Sequence, residues 1–283
     1  MNPFIAALEA RWKAGARVCI GLDSDIARLP EALGRNPSID RQLLFNVEIV
    51  KATADLALVY KPNIAFYPGP DGLRALIKTV EFIHTHAPGV PVALDAKRAD
   101  IGKTNHGYVC EAFDVVDADA VTINPYFGKE AVKPFLDRAD KGIIVLCRTS
   151  NPGAGEFQDL IVDVPLDGVT TLKMPLYEKV ARNVAHDWNG NGNCLLVVGA
   201  TAPEELARVR ALVNDLWLLI PGIGSQGGDL EQVVRNGLAA KGAGAIINSS
   251  SGITFASSGK DYREAARNAT LELTRNINRL LAA

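Results

Sequence analysis

The chain has 283 residues, of which 48% are apolar, so it can bury a sizeable core and a disordered chain is excluded. Its 30 basic and 32 acidic residues leave a net charge of −2, and no global field would gather nucleic acid or an anionic membrane. The N-terminal MNPFIAALEARWKAG does not read as a signal peptide, because Glu9, Arg11 and Lys13 break its apolar run. No stretch approaches the ~20 apolar residues of a membrane span. Cys19, Cys110, Cys147 and Cys194 form no CxxC pair and read as reduced thiols, so the expectation is a cytoplasmic protein.

Taken in chain order, short apolar runs alternate with polar loops and helical patterns. A first strand is predicted at 18–22. Leu43, Val47, Val50, Ala54 and Ala57 follow at helical spacing. Further strands are predicted at 58–62, 90–94, 120–123 and 142–147. The connection 150–192 is unusually long and holds a loop and one helical pattern at Leu176, Val180 and Val184; long connections of this kind often serve as lids. Strands are predicted again at 195–199, 218–221 and 245–247. Thr201 and Glu204 have capping-box spacing, with Pro203 in the first turn, and another helix is predicted to begin near Asp229. Ala266, Ala269, Leu273, Ile277 and Leu280 predict a closing helix. Most of the eight runs are apolar throughout, as parallel strands buried on both faces should be. Eight such units predict an α/β fold, a single (β/α)8 TIM barrel forming one domain over 1–283, with a doubly wound open sheet as the rival.

In a barrel the active site lies at the carboxyl ends of the strands. There the sequence places Asp23 after the first strand, Lys61 at the end of the second, Asp95, Lys97 and Asp100 after the third, and Asn124 after the fourth. Lysines and aspartates crowded into one mouth are costly to desolvate unless each is paired, and pairing makes the array rigid. A fixed carboxylate can repel a substrate carboxylate, while a neighbouring ammonium stabilises and then protonates the carbanion left by loss of carbon dioxide. The plain alternative is a solvated charged loop after a strand.

Two further constellations stand out. The run Pro221-Gly222-Ile223-Gly224-Ser225-Gln226-Gly227-Gly228 leaves the seventh strand, and its glycines let backbone N–H groups approach an anion. An ordinary glycine-rich turn is the alternative. Ser150 and Asn151, after the fifth strand, could hydrogen-bond the edge of a base, or simply form a turn. His84, His86, His106 and His186 show no metal-ligand spacing, so no metal is expected.

The run Leu94-Asp95-Ala96-Lys97-Arg98-Ala99-Asp100-Ile101-Gly102-Lys103-Thr104 resembles the signature of the orotidine 5′-phosphate decarboxylases. The resemblance extends over nearly the whole chain. It includes Gly21-Leu22-Asp23, Lys61-Pro62-Asn63, Val121-Thr122-Ile123-Asn124-Pro125-Tyr126, Thr149-Ser150-Asn151-Pro152-Gly153 and Pro221-Gly222-Ile223-Gly224-Ser225-Gln226. The Ser-Asn-Pro-Gly element and the length are similar to the longer bacterial subgroup. The resemblance implies that Lys61, Asp95, Lys97 and Asp100 form the charged array. Lys97 would deliver a proton to C6 of the pyrimidine and Asp95 would lie against the departing carboxylate. Asp100, with Ile101 and Thr104, would reach a neighbouring subunit's site, giving a homodimer with shared active sites. Asp23 and Lys61 would hold ribose hydroxyls, Ser150 would read the pyrimidine edge, and Gln226 with the loop amides around it, Gly222 and Gly224 among them, would hold the phosphate beside Pro221. The family uses no cofactor or metal. One departure is clear: Ser251 stands where the family carries an arginine that grips the phosphate, and no arginine lies between Arg235 and Arg263. A serine donates one neutral hydrogen bond and cannot form the bidentate contact. Lys260 is one residue that could compensate.

Two rivals frame this expectation. A sister sugar-phosphate decarboxylase or aldolase-like enzyme would use a similar Asp-x-Lys-x-x-Asp element with a divalent metal. A non-catalytic nucleotide-binding barrel would treat Ser251 as lost function, against which stands the retention of Lys61, Asp95, Lys97 and Asp100.

Overall fold

A strand that is apolar on both faces is stable only where both faces are covered, by helices outside and by filled space inside. The computed structural model, which describes residues 1–34, 39–165, 170–223 and 228–282, meets that demand with a closed barrel. In chain order its elements are α1 (Pro3–Lys13), β1 (Val18–Leu22), α2 (Ile39–Thr53), β2 (Ala57–Pro62), α3 (Gly69–His86), β3 (Ala93–Arg98), α4 (Gly102–Cys110), β4 (Ala120–Ile123), α5 (Gly128–Leu136), β5 (Gly142–Arg148), α6 (Gly155–Gln158), β6 (Ile161–Pro165), β7 (Thr171–Pro175) and α7 (Leu176–Asn183). There follow β8 (Cys194–Val198), α8 (Pro203–Val213), β9 (Leu218–Pro221), α9 (Leu230–Gly237), β10 (Ala245–Ser249), α10 (Ser251–Thr254) and α11 (Tyr262–Ala282). Eight strands pair in parallel in the order β2-β1-β10-β9-β8-β5-β4-β3. Bridges Tyr60–Val92 and Asn63–Asp95 join β2 to β3 and close the ring.

Side chains alternate along each strand. Val18, Ile20, Val145, Leu196 and Ile247 point outward into the cluster shared with the helices. Cys19, Val59, Ala93, Ala120, Ile144, Leu195, Leu219 and Ile246 belong to a second cluster with Phe4, Leu8 and Trp12 of α1. The first helix therefore plugs the amino end of the barrel, with Trp12 edge-on to Trp217 at 6.0 Å between centroids. Gly142 makes room for it, because a Cβ there would lie 2.4 Å from the Phe4 ring.

Several expectations are corrected. The third strand is not 90–94 but Ala93–Arg98, so Asp95 and Lys97 lie in the strand and not in a loop after it. The connection 150–192 is not one loop and one helix: it carries α6 and the antiparallel hairpin β6–β7, paired from Ile161–Pro175 to Pro165–Thr171. Thr201 makes no capping box, since α8 starts from Ala202 without a side-chain cap, although Pro203 does open the helix. Asp229 caps α9 as the sequence suggested, accepting from the N–H groups of Glu231 and Gln232. Of the predicted α2 stripe, Val50 is buried and Leu43 and Ala54 pack partly buried against the core, but the fully buried face also takes in Gln42, Phe45, Asn46, Ile49 and Thr53, and Ala57 belongs to β2.

At the amino end of the barrel, His84 in the last turn of α3 sits 3.1 Å from Asp119 and 3.4 Å from Asp117. The hydrogen bond to Asp119 raises the imidazole above its ordinary value against a smaller opposing effect of burial. A folded-state value above the unfolded one stabilises the fold below about pH 6.5, and that contribution disappears as the pH rises through the raised value. Wild type should therefore exceed His84→Gln in unfolding free energy at about pH 5.5, by less than about 1 kcal/mol because the ring is partly open to solvent. Denaturant titrations at a series of pH values check this: the advantage should fade above about pH 6.5, and one that grew with pH would refute the assignment.

Candidate active site

The inner row of the barrel changes character two residues further along four of the strands. Val59 is followed by Lys61, Ala93 by Asp95, Ala120 by Thr122 and Ile246 by Asn248. These four line a cavity of about 770 Å³ at the carboxyl end of the barrel, together with Asp23, Lys97, Ser150, Asn151, Pro221, Gly222 and Ser251. That volume suits a nucleotide-sized ligand.

Asp95 organises the array. Lys61 Nζ donates to Asp95 Oδ2 at 3.1 Å, Lys97 Nζ to Oδ1 at 2.6 Å, and the Thr122 hydroxyl to Oδ1 at 2.9 Å. Burial alone would push the Asp95 carboxyl up, but the two ammonium groups outweigh it and hold the carboxyl well below the usual range. Burial would likewise push Lys61 down, yet Asp95 and Asp23 hold it above an ordinary lysine. Asp23 Oδ1 is 3.8 Å from Lys61 and is a buried acceptor with no hydrogen-bond donor among the described residues. Beneath the array, Cys19 donates to Asn248 Oδ1 at 3.2 Å, and burial pushes its thiol up to about 12. Cys19 is thus an inert thiol below the array.

The backbone at Lys97 is special. Leu94 pairs with Val121 and Arg98 with Ile123, so three residues of β3 face one residue of β4. Lys97 has φ 48°, a left-handed conformation that a lysine adopts only when its surroundings impose it. Thr122 Oγ1 imposes it here, accepting from the N–H groups of Ala96 and Lys97 at 3.0 and 2.9 Å. Gly21, on β1, allows Ser250 to approach, since a Cβ at that position would lie 2.6 Å from the Ser250 Cβ.

The structure brings Lys61, Asp95, Lys97, Asp23, Ser150, Asn151, Pro221, Gly222 and Ser251 to one cavity. It does not bring Asp100, Ile101, Thr104 or Asn124 there. Asp100 Oδ1 accepts from the N–H of Ile101 at 2.6 Å, and Ile101 and Thr104 face solvent. Asn124 caps the turn after β4 by accepting from Tyr126 N at 3.0 Å, so its side chain is already engaged. Gly224 and Gln226 lie outside the described residues. Lys260 is exposed and does not line the cavity. Sequence reasoning missed several polar lining residues, among them Thr122, Asn248, Gln158 and Arg28. Thr122 and Asn248 are visible as polar residues inside apolar strands, but the strands show no alternation that would turn them inward. Gln158 and Arg28 carried no local signal. Gln158 Oε1 accepts from Thr149 N at 2.9 Å and folds α6 back onto the end of β5.

A family model described as the orotidine 5′-phosphate decarboxylase / HUMPS family matches residues 16–269. A protein of Azoarcus sp. (strain BH72) named orotidine 5′-phosphate decarboxylase is 49% identical over 276 residues, 97% of this chain and 98% of that one. One of Janthinobacterium sp. (strain Marseille), with the same name, is 47% identical over 280 residues, 99% of each chain. Among solved structures, the Leishmania donovani OMP decarboxylase superposes with a TM-score of 0.84 at 36% identity, covering 100% of both chains.

Replacing one partner of a buried pair strands the other charge. Lys61 is 4% exposed and would keep only Asp23 at 3.8 Å. Asp95→Asn should therefore cost about 3–5 kcal/mol of unfolding free energy, and Asp95→Leu combined with Lys61→Met should recover most of it. Chemical denaturation of the three proteins at neutral pH measures both effects. An Asp95→Asn variant within about 1 kcal/mol of wild type would show that the array is not desolvated as described.

Proposed function

The chain belongs to the orotidine 5′-phosphate decarboxylase / HUMPS family, and from that premise we propose how it acts. It is a carboxy-lyase that converts orotidine 5′-phosphate to uridine 5′-phosphate and carbon dioxide in pyrimidine biosynthesis. The observation that carries the mechanism is the Lys61–Asp95–Lys97 array at the mouth of the barrel.

In this reading the substrate carboxylate is placed against Asp95, a carboxylate that two ammonium groups keep ionised. Like charges in contact raise the energy of the bound substrate, and the repulsion ends when the carboxylate leaves as neutral carbon dioxide. The C6–carboxylate bond breaks with its electron pair left on C6. The Lys97 ammonium stabilises that pair and donates a proton to it, and the resulting amine regains a proton from solvent. Asp23, whose Oδ1 lacks a donor among the described residues, accepts from the ribose hydroxyls, and Lys61 steadies both carboxylates. Ser150 and Asn151 read the base edge. Pro221 and Gly222, with Gly224 and Gln226 beyond the described residues, face the phosphate. No cofactor or metal takes part in this scheme.

We also propose a homodimer, formed by a chain that is one domain over 1–283. Asp100, Ile101 and Thr104 lie outside their own cavity. Ile101 is 62% exposed and Tyr126, on the neighbouring loop, 83%. Exposed apolar side chains grouped in this way mark a contact surface. Asp100 then completes the array of the neighbouring subunit. Within the described residues no helix is long and apolar enough to cross a membrane, and with a charge of −2 neither a membrane nor nucleic acid is proposed as partner; the proposed location is the cytoplasm.

Loss of ultraviolet absorbance as orotidine 5′-phosphate is consumed tests the function directly. Lys97→Ala should remain folded and lose more than the ~10²–10⁴-fold typical of a general acid, because its charge also stabilises the carbanion. More than about a tenth of wild-type kcat in that folded variant would overturn its role. Chelator should leave wild-type turnover unchanged.

The shared site has its own check. Inactive Lys97→Ala and inactive Asp100→Ala subunits, mixed and re-equilibrated, should regain activity, since one hybrid site then holds both native groups. A mixture that stays inactive would rule out shared sites.

A further inference from the structure

The cavity contains three cations among its described lining residues: Arg28, Lys61 and Lys97. Lys61 and Lys97 are both committed to Asp95 at the base of the mouth. Arg28 is different. It lies on the loop after β1, and no carboxylate pairs with it among the described residues. The neighbouring Asp25 carboxylate caps the turn instead, accepting from Ala27 N at 3.0 Å. The Arg28 guanidinium lies 4.2 Å above the ring of Phe255, and Phe255 is itself stacked on the fully buried Phe45 at 5.4 Å. A guanidinium spread on an aromatic face is held in place while its N–H edge stays open.

The topology says what that edge faces. In the ring, β1 is flanked by β10, and β10 by β9. The loops after these three strands are therefore consecutive around the mouth, and they bring Arg28, Ser250, Ser251, Gly222 and Ile223 to one side of the same cavity. Phe255 follows α10, with its N–H on the carbonyl of Ser251 at 3.1 Å. The stack thus joins Arg28 to the turn that carries Ser251. The loop that carries Arg28 is itself fixed: Tyr67 donates to the Leu22 carbonyl at 2.8 Å and Gln42 to the Ser24 carbonyl at 2.7 Å.

We propose that Arg28, clamped on Phe255, supplies the guanidinium that binds the 5′-phosphate of the nucleotide, so that the charge absent at Ser251 is delivered from the opposite side of the β1–β10 seam. This rests on the decarboxylase reading for the identity of the ligand. Arg28 is a binding residue and Phe255 positions it. Neither takes part in the bond-breaking step.

The test separates charge from packing and phosphate from nucleoside. Uridine 5′-phosphate and uridine are titrated calorimetrically into wild type, Arg28→Met, Arg28→Lys and Phe255→Ala. The methionine keeps the contact with the ring and removes the charge. A charge-assisted contact predicts that Arg28→Met weakens uridine 5′-phosphate by about tenfold to a hundredfold and leaves uridine unchanged. Arg28→Lys should fall between, Phe255→Ala should weaken the nucleotide less than Arg28→Met does, and millimolar guanidinium should partly restore nucleotide binding to Arg28→Met. In turnover the loss should appear in KM for orotidine 5′-phosphate and not in kcat/KM for orotidine. Adding Ser251→Arg to Arg28→Met should recover most of the affinity, because the charge then returns from the other loop. An affinity for uridine 5′-phosphate within twofold of wild type in Arg28→Met, or an equal loss for uridine, overturns the proposal. If wild type shows the phosphate preference and its dependence on Arg28 but does not decarboxylate, the inference stands and the decarboxylase reading falls.

Discussion

The site depends on one buried carboxylate shared between two lysines. Asp95 and Lys61 are 9% and 4% exposed, and ions at that depth would be ejected or neutralised unless every oxygen and proton were matched. Asp95 is matched by Lys61, Lys97 and Thr122, and Asp23 balances the remaining charge from 3.8 Å. Two positive and two negative groups thus form a neutral set with fixed geometry. In the proposed mechanism such a set needs little reorganisation when a substrate carboxylate is converted to neutral carbon dioxide, and this is the condition under which fixed charges accelerate chemistry most. The strained backbone of Lys97 belongs to the same design. The bulge in β3 turns three consecutive residues against one of β4, and Thr122 uses its oxygen for two N–H groups and its proton for Asp95. A single threonine hydroxyl therefore holds both the strain and the charge.

The eight barrel strands were legible because each is apolar on both faces, but that same property concealed their phase. A run such as Ala120-Val121-Thr122-Ile123 shows no alternation, so nothing local reveals that Ala120 and Thr122 face inward. With the phase unknown, the polar inner positions Thr122 and Asn248 looked incidental. The third strand was cut short at Leu94 for a related reason. Asp95 reads as the end of an apolar run, yet the ladder continues because the inner space at that height is a polar cavity rather than core. The lysines and aspartates of the array were visible through motif spacing alone. Their pairing was not, because it depends on β2, β3 and β4 being neighbours.

What stayed hidden is tertiary in origin. The hairpin β6–β7 is short, its burial is slight, and Ile161 and Leu172 are exposed, so it lacks the buried run by which the other strands were found. Arg28 sits in a polar stretch with no motif, and only its stack on Phe255, far along the chain, gives it meaning. On α2 the apolar stripe captures only one edge of the inner face, at Val50, because the rest of that face carries Gln42, Asn46 and Thr53 among its apolar residues.

Those buried polar residues violate the helix pattern for a reason that reaches the site. Asn46 donates to Tyr67 and to Thr79, both at 3.0 Å, and is hydrogen-bonded with Ser24. Gln42 bonds the Ser24 and Phe66 carbonyls, and Tyr67 bonds the Leu22 carbonyl. Every one of these side chains is almost wholly buried, so each bond stands in for a water that cannot enter. The network ties α2 and α3 to the loop that leaves β1, and this loop carries Asp23 on one side and Arg28 on the other. An apolar α2 would pack more simply against α3, but it would leave that loop held by its ends alone. Polar residues spent in the core between two helices thus serve the cavity at a distance, by fixing the backbone from which the Asp23 carboxylate and the Arg28 guanidinium project.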